Sequence, residues 1–434
     1  MKDQIEDKKD LGIWTSTALV MGNMIGSGVF LLPAALAAYG GISILGWIAT
    51  SLGSMLLALV FARLSRQVPG AGGPYIYTRV GFGNLAGFIV AWGYWISIMT
   101  GNAAIAVAFT GYLGYFVPEV SSTPAISAMT ALGAIWFLTW INSQGVKSAG
   151  IVQLVTTVMK LIPIVALGTL GLFYLEFSHF SPWNLSDETN FSALTATAAL
   201  TLWAFSGLES ATIPADNVSN PDRTIPRATL LGTGLTALIY IASTVAVMGT
   251  VPSGELAVST APFADAANRI WGGWAGSVVA AGAVISSFGA LNGWILLQGQ
   301  IPMATARDGL FPRFLSKTSS RGTPVAGLVV SSVLVTLLVS MNYTRGFVDL
   351  FTFVALLAVV TTLLPYVFCS LAHLVITRRE GYSLGKKGMF RVVLIAITAF
   401  LYSLWAIAGS GQEAVFWGFI LILAGLPFYA WIRS

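Results

Sequence analysis

The chain has 434 residues, of which 56% are hydrophobic and only 9% charged, with a mean hydropathy of +0.80. No water-soluble domain of this size hides so much apolar surface, so an all-α membrane protein is expected. The single cysteine, Cys369, excludes internal disulfides and cysteine-cluster metal sites, and His179 and His373 stand too far apart to suggest another.

Residues 1–11 form a mixed-charge tail rather than a basic leader before a short apolar core, so the first span is expected to act as its own insertion signal. A span needs about 20 apolar residues. Twelve stretches qualify: 12–36, 41–66, 82–115, 124–142, 149–174, 193–215, 226–250, 271–305, 323–342, 346–377, 389–410 and 413–432. Pro118, Pro124, the Pro221–Pro226 turn, Pro252 and the polar stretch 381–388 punctuate them. The connection from Arg66 to Tyr75 is too rich in Gly and Pro to be a plain helix.

Basic residues orient the spans. With both termini cytoplasmic, all of the 22 Lys and Arg except Lys160, Arg269 and Arg345 fall in the tails and inner loops. The outer loops carry Glu119, Glu176, Asp187, Glu188, Glu255, Asp265 and Glu413. The formal net charge of +5 is therefore topological, and no nucleic acid is expected as a partner.

Span 1 contains Gly22-Asn23-Met24-Ile25-Gly26-Ser27-Gly28-Val29-Phe30, with three glycines and two polar side chains at membrane depth. Non-helical backbone survives in lipid only where it lines a cavity or meets a ligand. A break frees carbonyls at the end of one half-helix and N–H groups at the start of the next, which together suit the ammonium and carboxylate of an amino acid. The alternative is a GxxxG-type packing face through Gly22 and Gly26. Span 6 supplies a second break, Leu202-Trp203-Ala204-Phe205-Ser206-Gly207-Leu208-Glu209-Ser210. The spacing of the two breaks implies a 5+5 inverted repeat, 12–175 and 193–377, followed by two added helices at 389–432.

Two charges lie within the spans. Glu209 follows the second break, and Lys160 sits in span 5. Intramembrane charges face the bundle interior and mark function. The alternatives are a polar cap for Glu209 and, for Lys160, a tether to carbonyls freed at the first break. Trp47, Trp183, Trp271 and Trp431 read as an interfacial belt. Trp203, beside the second break, and Trp294, deep in span 8, are placed to cover a cation, with core packing as the alternative. Tyr94 and Asn102 in span 3 are weaker candidates.

These segments, with Leu31-Leu32-Pro33, Ala261-Pro262-Phe263, Gly293-Trp294 and Asp308-Gly309-Leu310-Phe311-Pro312, resemble the amino acid–polyamine–organocation superfamily along nearly the whole chain. The chain is most similar to bacterial antiporters that exchange arginine for agmatine or ornithine for putrescine. The resemblance implies alternating access in a bacterial inner membrane, a homodimer in many members, and no cofactor.

It further implies that Ser27 and Gly28 bind the substrate carboxylate, with Asn23, Ile25 and Gly26 in the same substrate site, and that carbonyls near the span 6 break bind the α-ammonium. Trp203 then stacks on a cationic head group and Trp294 is a gate. Tyr94, Asn102 and Glu209 complete the recognition and gating set. Ile105 and Ser206 stand where the arginine exchanger has methionine and isoleucine, and Phe353–Val360 lacks its span 10 serine. Lys160 resembles a span 5 lysine of proton-coupled and neutral-amino-acid members.

Two readings of function follow. One is exchange of a basic amino acid for its decarboxylated amine; the other is a proton-coupled or exchange carrier of neutral amino acids. A sensor on the same fold is a third, without an attached signalling domain. No nucleophile–base constellation or cofactor loop points to an enzyme.

Overall fold

Apolar runs of membrane length, interrupted by Pro and Gly, give a chain whose regular elements are helices, and no extended strand occurs among the described residues. The computed structural model describes residues 12–26, 28–68, 73–144, 149–212, 218–320, 322–342, 344–379 and 385–433. Ser27, assigned above to the carboxylate site, lies outside them.

The first half holds α1 (Ile13–Met24), α2 (Gly28–Ala37), α3 (Ser43–Gln67), α4 (Pro74–Phe82), α5 (Asn84–Gly114), α6 (Pro124–Ser143) and α7 (Ala149–Leu170). Next come α8 (Asn190–Leu202), α9 (Pro221–Thr250), α10 (Ser253–Leu256), α11 (Pro262–Trp271), α12 (Gly273–Arg307), α13 (Val325–Asn342) and α14 (Phe347–Arg379). The chain closes with α15 (Gly385–Gly409), α16 (Gln412–Leu423) and α17 (Leu426–Arg433). Among the described residues, nine helices are long and apolar enough to cross a membrane, or ten if α1 and α2 form one bent span.

Local chemistry sets several starts. Pro124, Pro221 and Pro262 occupy first helical turns, where the missing N–H costs nothing. Thr123 and Thr189 cap α6 and α8, accepting from Ile126 N at 3.3 Å and Ser192 N at 3.2 Å.

α5 forms the centre, with α14 and α12 packed along it, while α3 and α1 pack on α9. Small residues permit the close approach, as where Gly93 of α5 lies against Leu364 of α14. Trp47 departs from the interfacial expectation. It is buried, with ring centroids 5.3 Å from Tyr240 and 6.1 Å from Phe205. Its place near the start of α3 matches belt depth, but α8 and α9 cover that face. Trp183 and Trp431 are exposed.

Polar contacts tie the ends of the bundle. Asp308, at the end of α12, accepts from Tyr75 Oη at 2.8 Å and pairs with Arg79 at 3.0 Å, joining α4 to α12. Arg345 pairs with Glu413 and lies over the Phe353 ring at 4.2 Å. Arg269 pairs with Glu255.

Candidate functional site

The site grows from two interruptions in helical backbone. α1 stops at Met24, and α2 leaves from Gly28 at an angle of 43°. The last four carbonyls of a helix have no intrahelical partner. Here Met21 O accepts from Ile25 N and Met24 O from Gly26 N, each at 2.8 Å. Gly22 O accepts from the buried ammonium of Lys160.

The second interruption follows α8. Trp203–Phe205 tighten into a 3-10 turn, Ser206 is extended, and Ser210–Thr212 form another turn. Gly207 has φ of 101°, a conformation that L side chains rarely adopt. A Cβ there would meet Asn23 at 3.3 Å, so the two interruptions touch at Gly207.

Trp203 lies in a slot between glycines. A Cβ on Gly28 would run into its indole nitrogen, and one on Gly101 would come within 2.9 Å of the ring's far edge. Trp203, Ser206 and Glu209 line a cavity together with Tyr94, Ser97 and Gly101 of α5, Trp294 of α12 and Thr362 of α14. Its volume is about 10 Å³, close to the room one water needs.

Glu209 forms the polar wall of this cavity. It is fully buried and accepts from Tyr94 Oη and Tyr366 Oη, both at 2.8 Å. Two phenols thus fix both oxygens of the carboxyl.

The structure therefore brings Tyr94, Trp203, Ser206, Glu209 and Trp294 to one cavity, with Gly28 behind Trp203. Asn23 lies next to Gly207, between Ser206 and the Glu209 turn, and a Cβ added to Gly26 would sit 3.6 Å from the Ala290 Cβ. Ile25 and Ile105 belong to the apolar core. Asn102 faces α12, where its amide donates to Gln298 Oε1 at 2.8 Å. Gln298 continues to Ser332 at 2.9 Å, and Ser332 to Thr139 at 2.7 Å. Tyr366 and Thr362 escaped the sequence reading. They lie one turn apart on α14, just beyond the apolar stretch 353–360. No group of His, Cys, Asp and Glu suited to a metal ion occurs among the described residues.

A family model described as amino acid permease matches residues 11–431. The chain belongs to the amino acid permease family. Among similar permeases, the cadaverine/lysine antiporter of Escherichia coli is 36% identical, covering 97% of this chain and 95% of the relative. Putrescine transporter PotE of Haemophilus influenzae is 34% identical, covering 97% of each. Escherichia coli PotE is 35% identical, covering 96% of this chain and 95% of the relative. A solved manganese transporter of Eremococcus coleocola, in complex with an aromatic bis-isothiourea compound, superposes with a TM-score of 0.58 at 13% identity. It covers 99% of this chain and 98% of its own, and it speaks for the fold alone. This permease is a multi-pass membrane carrier, not an enzyme.

Proposed function

We propose that this permease is an antiporter that exchanges a basic amino acid for the diamine formed by its decarboxylation, lysine for cadaverine or ornithine for putrescine. The observation that carries the reading is Glu209, buried on the cavity wall and held by Tyr94 and Tyr366. A fixed carboxyl beside the Trp203 and Trp294 rings suits the ammonium at the far end of such a substrate. The carbonyls at the interruptions take its other ammonium, and Ser27 and Gly28 take the carboxylate of the amino acid. The 34–36% identity to cadaverine/lysine and putrescine carriers supports the same substrate class.

Twelve spans in a 5+5 inverted repeat, with both termini cytoplasmic, complete the architecture. Exchange follows because the loaded carrier crosses between outward-open and inward-open states far more readily than the empty one. A dimer in the bacterial inner membrane fits the family.

The second reading, a carrier of neutral amino acids, draws on Lys160, whose ammonium sits on Gly22 O. A counterflow panel separates the two. Proteoliposomes are loaded in turn with lysine, ornithine, cadaverine, putrescine, alanine or leucine, and uptake of labelled lysine and labelled alanine is followed. The antiporter reading expects internal diamines to drive lysine uptake. Alanine uptake driven by neutral amino acids, with diamines inert, moves the protein to the second reading.

A further inference from the structure

Tyr240 of α9 is fully buried, and its hydroxyl lies 2.7 Å from Met24 O and 3.2 Å from Ala204 O. Met24 ends α1, and Ala204 sits in the turn after α8. One side chain on a third helix thus reaches a carbonyl at each interruption. Its ring is wedged between Trp47, 5.3 Å away, and Phe205, met edge-on at 5.7 Å. This packing holds the hydroxyl where it is.

A phenol has one O–H and makes one full donation at a time. The shorter contact goes to Met24 O, so Ala204 O keeps acceptor capacity. Two carbonyl oxygens drawn towards one point in a low-dielectric interior repel each other unless a donor lies between them. The hydroxyl supplies that donor, and an ammonium, with three N–H groups, can replace part of it and bridge both.

We propose that Tyr240 is a positioning residue for the ammonium-binding carbonyls. It holds Met24 O and Ala204 O together, keeps Met24 O when substrate arrives, and yields Ala204 O to the substrate's ammonium. The proposal rests on the reading of the interruptions as the ammonium site. Without the hydroxyl the carbonyls spread, and substrate must draw them together again. The loss falls on apparent affinity, not on the rate of the loaded carrier.

The test compares wild type, Tyr240→Phe and a form with 4-aminophenylalanine at position 240 in lysine/cadaverine counterflow. Loss of one hydrogen bond predicts a KM about tenfold higher for Tyr240→Phe, with the maximal rate within about twofold of wild type. The 4-amino group keeps a donor at the same ring position and restores KM. Should Tyr240→Phe fail to fold, 4-fluorophenylalanine fills the same space without a donor and takes its place.

Unchanged KM in the donor-free form, a loss confined to maximal rate, or no rescue by the amine overturns the proposal. If wild type exchanges neither lysine nor diamines, the functional reading has failed instead. The same KM comparison then runs with whichever amino acid the panel finds, and its outcome decides Tyr240 separately.

Discussion

Tyr366 donates its hydroxyl to Glu209 at 2.8 Å across a separation of 157 positions in the chain. Tyr94 takes the other carboxyl oxygen at the same distance, so α5, α14 and the turn after α8 meet on one acid. Hydrogen bonds to a charged group are worth about 1.5–3 kcal/mol, so Tyr366→Phe should lower lysine/diamine exchange about ten- to a hundredfold. Tyr94→Phe should act alike, and the double variant should lose less than the two combined, because both serve one carboxyl. Counterflow rates of the three variants check this. Near-wild-type exchange by Tyr366→Phe would sink it.

The Trp203 slot predicts a graded series. A methyl at Gly28 meets the indole nitrogen directly, and one at Gly101 approaches the ring edge at 2.9 Å. Overpacking a filled site costs about 1–3 kcal/mol. Gly28→Ala should therefore impair exchange most, Gly101→Ala less, and Gly133→Ala, with nothing within 4 Å of an added Cβ, hardly at all. A reversed order in the same transport assay would contradict the slot.

Lys160 donates to Gly22 O from a fully buried position. Lys160→Ala leaves that carbonyl without its donor, at a cost of about 1–3 kcal/mol. The expected outcome is a lower Tm in detergent, with the pH profile of residual exchange unchanged in shape. A shifted profile with Tm intact would make Lys160 a proton-coupling group instead.

Asp265 on α11 gives a pH test outside the spans. Burial pushes its carboxyl above the usual value of 3.8, against the lowering pull of the Ser259 hydroxyl and Arg269. A raised folded-state value means that ionisation costs stability as pH rises through it. Asp265→Asn should raise the Tm at neutral pH, and the gain should vanish as the pH falls towards 3.8. A gain that persisted in acid would exclude this cause.

The interruption at Met24–Gly28 was legible because Gly, Asn and Ser in an apolar run contradict a plain span. Glu209 stands out in the sequence as a charge at membrane depth, and Trp203 by its place beside the second break. Tyr366 was not legible, because a tyrosine in an apolar helix signals nothing until α14 is packed across α5. The direction of Asn102 was equally hidden. Its amide turns to Gln298, a residue 196 positions away that only the packing of α12 on α5 brings near. Trp47 shows the same limit, since position along a helix sets depth but not which neighbour covers a face. Local composition marks where backbone must break, and long-range packing decides which side chains meet there.

Glu209→Gln beside wild type, in cadaverine-loaded proteoliposomes taking up labelled lysine, tests the central claim most directly. Wild type should exchange. The variant keeps the shape and one of the two acceptor oxygens but loses the charge, and its exchange should fall by about tenfold or more. Equal rates in the two proteins would contradict a cation held at Glu209.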